Sequence, residues 1–162
     1  MKSPYRPLIV RYAETYDLDP LLVEAVVWQE SSGLADAFRY EPGFWERYCK
    51  NDPKWAGWDP RRVASSYGLM QLMYPTALDN GYEGPPEGLF DLDTNLDIGC
   101  RLLAKLIDHW NGDILKALAS YNGGLGGVNR AQPMHYAHQV ATRYDRFRAV
   151  STPSPDGQDR RA

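Results

Sequence analysis

Apolar residues recur along this chain at the three- and four-residue steps of an α-helix, with no sustained two-residue alternation of a half-buried strand. Asp19-Pro20 reads as a helix start, since Asp is a favoured N-cap and Pro suits the first helical position. Val23, Val26 and Val27 then form an apolar stripe that Glu30 continues, and Gly33 is a natural stop. Leu96, Cys100, Leu103, Ile107 and Trp110 define a second helix, with Thr94-x-x-Asp97 as its capping signal and Asn111-Gly112 as its end. Asp113 opens a short helix through Leu115 and Leu118 that ends in Asn122-Gly123-Gly124. A last helix is expected from about Tyr136 to Phe147, with Val140 and Tyr144 inward. The predicted class is mainly α, with little or no sheet.

A chain of 162 residues can bury one continuous core, so a single domain over 1–150 is expected. The segment 151–162, rich in Pro, Ser, Gly, Asp and Arg, reads as a disordered tail. A net charge of −3 offers no concentrated cationic face, which argues against a nucleic-acid partner. The first dozen residues lack the apolar run of a secretory signal, and no later run reaches the roughly 18 residues needed to span a bilayer. Cys49 and Cys100 form neither a disulfide framework nor a metal motif and are expected as free, partly buried thiols. His135 and His138 share a helical face, but no third ligand completes a metal set, and no motif calls for a cofactor.

Glu30 is the most informative single residue. A carboxyl group on an apolar stripe loses hydration, and near a helix C-terminus it also meets the negative end of the helix dipole. Both effects favour the protonated form, which suits a proton donor near neutral pH. The alternative is a glutamate at the edge of the stripe, paired with an arginine.

Three short segments bear on that choice: Glu30-Ser31-Ser32, Gly68-Leu69-Met70-Gln71-Leu72-Met73 and Ala119-Ser120-Tyr121-Asn122-Gly123-Gly124. In order and wording, from Pro20 to about Arg130, they resemble the soluble lytic transglycosylase family, which shares the lysozyme-like fold with goose-type lysozymes. The resemblance implies a peptidoglycan lytic transglycosylase in which Glu30 is the sole acid and base. It implies that Ser31 supports that residue, that Gln71 hydrogen-bonds sugar, and that Met73 packs against it. It further implies that Tyr121 donates to the Glu30 carboxylate and that Asn122 contacts an N-acetylated sugar. Gly68 would let the backbone turn closely. The expected partner is the peptidoglycan glycan strand, met at the bacterial cell wall by a monomer.

The chain departs from many members in the long stretch between the first two motifs. Residues 35–66 read as an aromatic-rich insertion carrying Phe38, Tyr40, Phe44, Trp45, Tyr48, Trp55 and Trp58. Either they form a groove wall that offers ring faces to pyranoses, with Tyr40, Glu41 and Trp45 as candidate contacts, or they close a satellite core. Arg39 to Trp45 is similar to segments of phage-encoded members, which suits an endolysin or virion-associated role. Two further readings stay open. A muramidase that hydrolyses the same bond needs a second carboxylate, for which Asp36, Glu41 and Asp59 are candidates. A non-catalytic wall-binding or virion structural module needs no acid, and the intact Glu30, Gln71 and Tyr121 argue against it.

Overall fold

The computed structural model describes residues 3–151, so most of the tail read as disordered lies outside the described residues. Its centre is α2 (Pro20–Ser31), whose Leu22, Val23, Ala25, Val26 and Val27 are all buried. A helix apolar on nearly every side belongs inside a bundle, and α2 packs between α1 (Arg6–Thr15) and α8 (Ala131–Ser151). The Asp19 carboxylate accepts from the Leu21 amide at the N-terminus, and Ser32 and Gly33 reverse the chain at the other end with φ of 53° and 77°. The predicted start and stop of this helix both hold.

The bundle is completed by α6 (Leu92–His109), against α1, and α7 (Ile114–Gly123), between α6 and α8. The helix α6 begins earlier than Thr94. Asp91 is its cap, accepting from the Thr94 amide at 2.9 Å, while Asp97 instead accepts from the Tyr16 hydroxyl and from Arg101. Asn111 and Gly112 end it with positive φ, and Asp113 caps α7 through the Lys116 amide, as predicted. The last helix starts five residues before Tyr136, because Pro133 is tolerated in a first turn. Its inner side carries Pro133, Tyr136, Ala137 and Val140.

Between α2 and α6 the chain forms a small antiparallel sheet, β1 (Phe38–Tyr40), β2 (Ser65–Tyr67) and β3 (Leu72–Met73), in that spatial order. Phe38 pairs with Tyr67, and Ser66 faces both Arg39 and Met73. The sheet is joined by short helices α3 (Pro42–Phe44, continued by a wider turn to Cys49), α4 (Pro60–Val63) and α5 (Tyr74–Asp79). The 35–66 segment divides between core and surface. Cys49, Trp55 and Val63 enter the common core, whereas Phe38, Tyr48 and Trp58 remain exposed at 43%, 59% and 37%. Trp55 meets the rings of Trp58 and Tyr74 at centroid distances of 5.7 and 5.9 Å. Cys49 and Cys100 are buried free thiols. No described helix is long and apolar enough to cross a membrane.

Candidate active site

The last turn of α2 carries Glu30 half out of the core that its valines fill. Its Oε1 accepts a 2.5 Å hydrogen bond from the Tyr136 hydroxyl of α8. Burial pushes the carboxyl from its ordinary value near 4.5 up to about 7, against the opposing pull of that hydrogen bond and of the Arg39 charge. A group poised there is present as acid and as base in comparable amounts at neutral pH. The same helix holds a second buried carboxylate, Glu24, with a different partnership: it accepts from the Ser3 amide and is ion-paired with Arg6. Glu24 ties α1 to α2, while Glu30 has no ion pair among the described residues and keeps solvent on one side.

The three sequence motifs converge on the turn between β2 and β3. Gly68 opens that turn at φ of 72°, and a Cβ there would stand 2.6 Å from the Asn95 amide nitrogen. The Ser31 hydroxyl donates to the Leu69 carbonyl at 2.8 Å and to the Val27 carbonyl one turn back. The Tyr121 hydroxyl donates to the Met70 carbonyl at 2.8 Å. Gln71, itself at φ of 48°, donates to the carbonyls of Ala37 and Gly68 and accepts from Ser66. The side chains of Ser31, Tyr121 and Gln71 therefore hold the turn against α2 and α7.

This changes one expected contact. The phenol on Glu30 belongs to Tyr136, and Tyr121 serves Met70 instead, because a buried carbonyl within reach requires a donor. Tyr121 still lies close enough to Glu30 for that charge, together with burial, to push its own ionisation well up, as also happens at Tyr136. Both phenols stay protonated donors through the neutral range. Met73 is half-buried ahead of α5, and Asn122 is exposed at the end of α7. Among the remaining candidates, Tyr40 lies under the Arg61 guanidinium, Glu41 pairs with Arg39 at 2.5 Å, and Trp45 packs partly on the core.

Two positions beside the site escaped the sequence reading. Tyr136 lies on the inner stripe of α8 with Pro133, Ala137 and Val140, and a phenol so placed needs a polar partner. Asn95 is 1% exposed in α6, on one face with Ile98 and Gly99. It accepts from the Met70 amide and donates to the carbonyls of Tyr67 and Leu89, each at 2.8 Å. All its bonds go to the backbone around the turn. A polar residue on an apolar stripe was the signal for both. Among the described residues no cluster of three or more His, Cys, Asp or Glu could hold a metal ion, and His135 and His138 are exposed.

A helical bundle around a central helix, with one poised carboxylic acid beside a short hairpin, defines a lysozyme-like domain of the lytic transglycosylase type. The chain belongs to the transglycosylase SLT domain family, whose model matches residues 7–142. Among curated relatives, the membrane-bound lytic murein transglycosylases C of Yersinia enterocolitica and Yersinia pestis are each 28% identical over 97% of the chain. The chain spans only 43% of their length. Lytic transglycosylase Slt of Pseudomonas aeruginosa, in an inactive mutant form, superposes with a TM-score of 0.70 at 20% identity, covering 94% of this chain and 25% of that one. The 70 kDa soluble lytic transglycosylase of Escherichia coli gives 0.70 at 19% identity, covering 93% and 25%.

Proposed function

We propose that this chain cleaves the β-1,4 bond between N-acetylmuramic acid and N-acetylglucosamine in peptidoglycan, as a lytic transglycosylase with Glu30 as its acid and base. The observation that carries the reading is the Glu30 carboxyl held at about 7 by burial, with a phenol rather than a cation as its partner. Protonated Glu30 donates to the bridging oxygen, and the bond from that oxygen to the muramyl anomeric carbon breaks. The substrate's own N-acetyl oxygen stabilises the developing positive charge. The Glu30 carboxylate then withdraws the proton of the muramyl 6-hydroxyl, whose oxygen closes on the anomeric carbon. No water is added, and the product is a 1,6-anhydromuramyl end. Tyr136 supports both halves of the cycle by keeping the ionised form accessible.

Hydrolysis would need a second carboxylate to direct water. Of the three candidates, Glu41 is engaged with Arg39 and Asp59 caps α4 through the Arg61 amide, which favours the route without water. In this reading residues 1–150 form the catalytic domain, and the exposed Phe38, Tyr48 and Trp58 of the 35–66 segment offer rings to the glycan. The likeness of this chain to cell-wall enzymes named lytic murein transglycosylases supports peptidoglycan as the substrate.

The test is mass spectrometry of the soluble products from purified sacculi treated with wild-type protein and with Glu30→Gln. Anhydromuramyl products from wild type and none from Glu30→Gln are expected. Reducing muramyl ends, heavier by one water, would make the protein a hydrolase and direct attention to Asp36. Undiminished cleavage by Glu30→Gln would remove Glu30 from the chemistry.

A further inference from the structure

The helices that hold the acid also build a second recess on their outer side. Between α2 and α8 lies a cavity of about 360 Å³, lined on α8 by His135, His138, Arg143 and Arg146 and crossed by a 3.2 Å hydrogen bond from Gln29 to Gln139. The α8 residues recur at the steps of one helical face. No carboxylate lines the cavity. Several arginines elsewhere in the fold find acids: Arg6 meets Glu24, Arg39 meets Glu41, Arg62 meets Glu87, and Arg101 meets Asp97. Arg143 and Arg146 have no ion pair among the described residues, and the Arg143 Nε is buried without any hydrogen-bond partner. Two guanidinium groups thus face one recess with no anion among the residues that line it. A carboxylate fits that pair, since a guanidinium holds one through two parallel hydrogen bonds.

The recess is built on the same two helices as the proposed chemistry. Gln29 precedes Glu30 in α2, and His135 precedes Tyr136 in α8. A glycan strand lying past Glu30 carries its short peptide branches on the muramyl lactyl groups, and those branches end in, and are lined by, free carboxylates. We propose that the Arg143–Arg146 recess binds a carboxylate of the peptide branch and so anchors the strand from its side chain; this assignment rests on peptidoglycan being the substrate. It makes Arg143 and Arg146 specificity residues that distinguish peptide-bearing from naked glycan, with no part in the proton transfers.

Two measurements test it. In the first, wild type and the double variant Arg143→Gln/Arg146→Gln digest whole sacculi and the same strands stripped of peptide by an amidase. The variant should lose about tenfold in rate on the peptide-bearing strands, the size of one lost charge-assisted hydrogen-bond pair, and change little on stripped ones. Equal loss on both, or no loss on either, overturns the assignment. In the second, a free stem tripeptide is titrated into the wild-type protein while the ring signals of its three histidines are followed by NMR, with inorganic phosphate as the comparison. His135 and His138 should respond to the peptide at lower concentration than to phosphate, and His109 should not move. Silence from both, or a stronger response to phosphate, defeats the peptide assignment. Because this measurement uses neither cleavage nor the variant, peptide binding by a protein that cleaves neither substrate would sink the transglycosylase reading and leave the recess standing.

Discussion

Two glutamates about one and two-thirds turns apart on α2 are buried to different ends, and the difference lies in what each one touches. Glu24, 2% exposed, is neutralised by Arg6, a pairing that serves the packing of α1 on α2. Glu30 receives a hydroxyl, which stabilises its charge less than a cation would and so leaves the proton available near pH 7. The sign of the Tyr136 effect gives a prediction. Its O–H favours the carboxylate, so Tyr136→Phe should raise the Glu30 pKa, and the limb of the activity profile that falls with rising pH should move upward by about one unit. Tyr121→Phe should leave that limb in place, because the lost hydrogen bond belongs to Met70. Rates of sacculus cleavage across the pH range measure both. A larger displacement in Tyr121→Phe than in Tyr136→Phe would reverse the two assignments. Glu30 could be read from sequence because its position on a stripe near a helix end is a local property. The phenol opposite it is 106 residues away, and nothing local pairs them.

At the scale of elements, the hairpin turn from Gly68 to Gln71 is the junction at which α2, α6 and α7 meet. Ser31 comes from the first, Asn95 from the second and Tyr121 from the third, and each holds a different backbone group. The approach is close: a Cβ on Gly99 of α6 would fall 2.3 Å from the Met70 sulfur. Sequence reading recognised two of the three anchors as motif members and assigned Gln71 to sugar, whereas the structure spends its amide on Ala37, Gly68 and Ser66. Motif wording does not separate a residue that touches substrate from one that shapes the backbone beside it. Asn95→Ala should destabilise the fold by about 3 kcal/mol or more, since it strands one buried amide and two buried carbonyls. Asn95→Asp should be no milder: it keeps the acceptor for Met70 but turns an anionic oxygen toward the carbonyls of Tyr67 and Leu89. Urea unfolding of the two variants decides, and an aspartate variant as stable as wild type would show that the clamp is dispensable.

For the molecule as a whole, the helical class, the central helix and the caps at Asp19 and Asp113 were legible because periodicity and capping are written in adjacent residues. The three-stranded sheet was not, since strands of two or three residues are too short to alternate. The division of the 35–66 aromatics was not legible either, because a ring buried in the core and one at the surface have the same sequence signature until the fold is closed. Closure also couples the acid to global stability. In the unfolded chain the Glu30 carboxyl ionises near 4.5, whereas the folded chain holds the proton to about 7. Between those values the folded state binds more protons than the unfolded one, so stability present below the lower value is lost as pH rises and is flat above the upper value. The full loss is about 3 kcal/mol. Glu30→Gln fills the same space with a neutral amide and removes the titration. Its stability relative to wild type should therefore grow by about 3 kcal/mol between mildly acidic and mildly alkaline pH, in urea unfolding at the two ends of that range. Parallel curves for the two proteins would mean that the carboxyl enters the fold already ionised, and the acid role of Glu30 would then lose its physical basis.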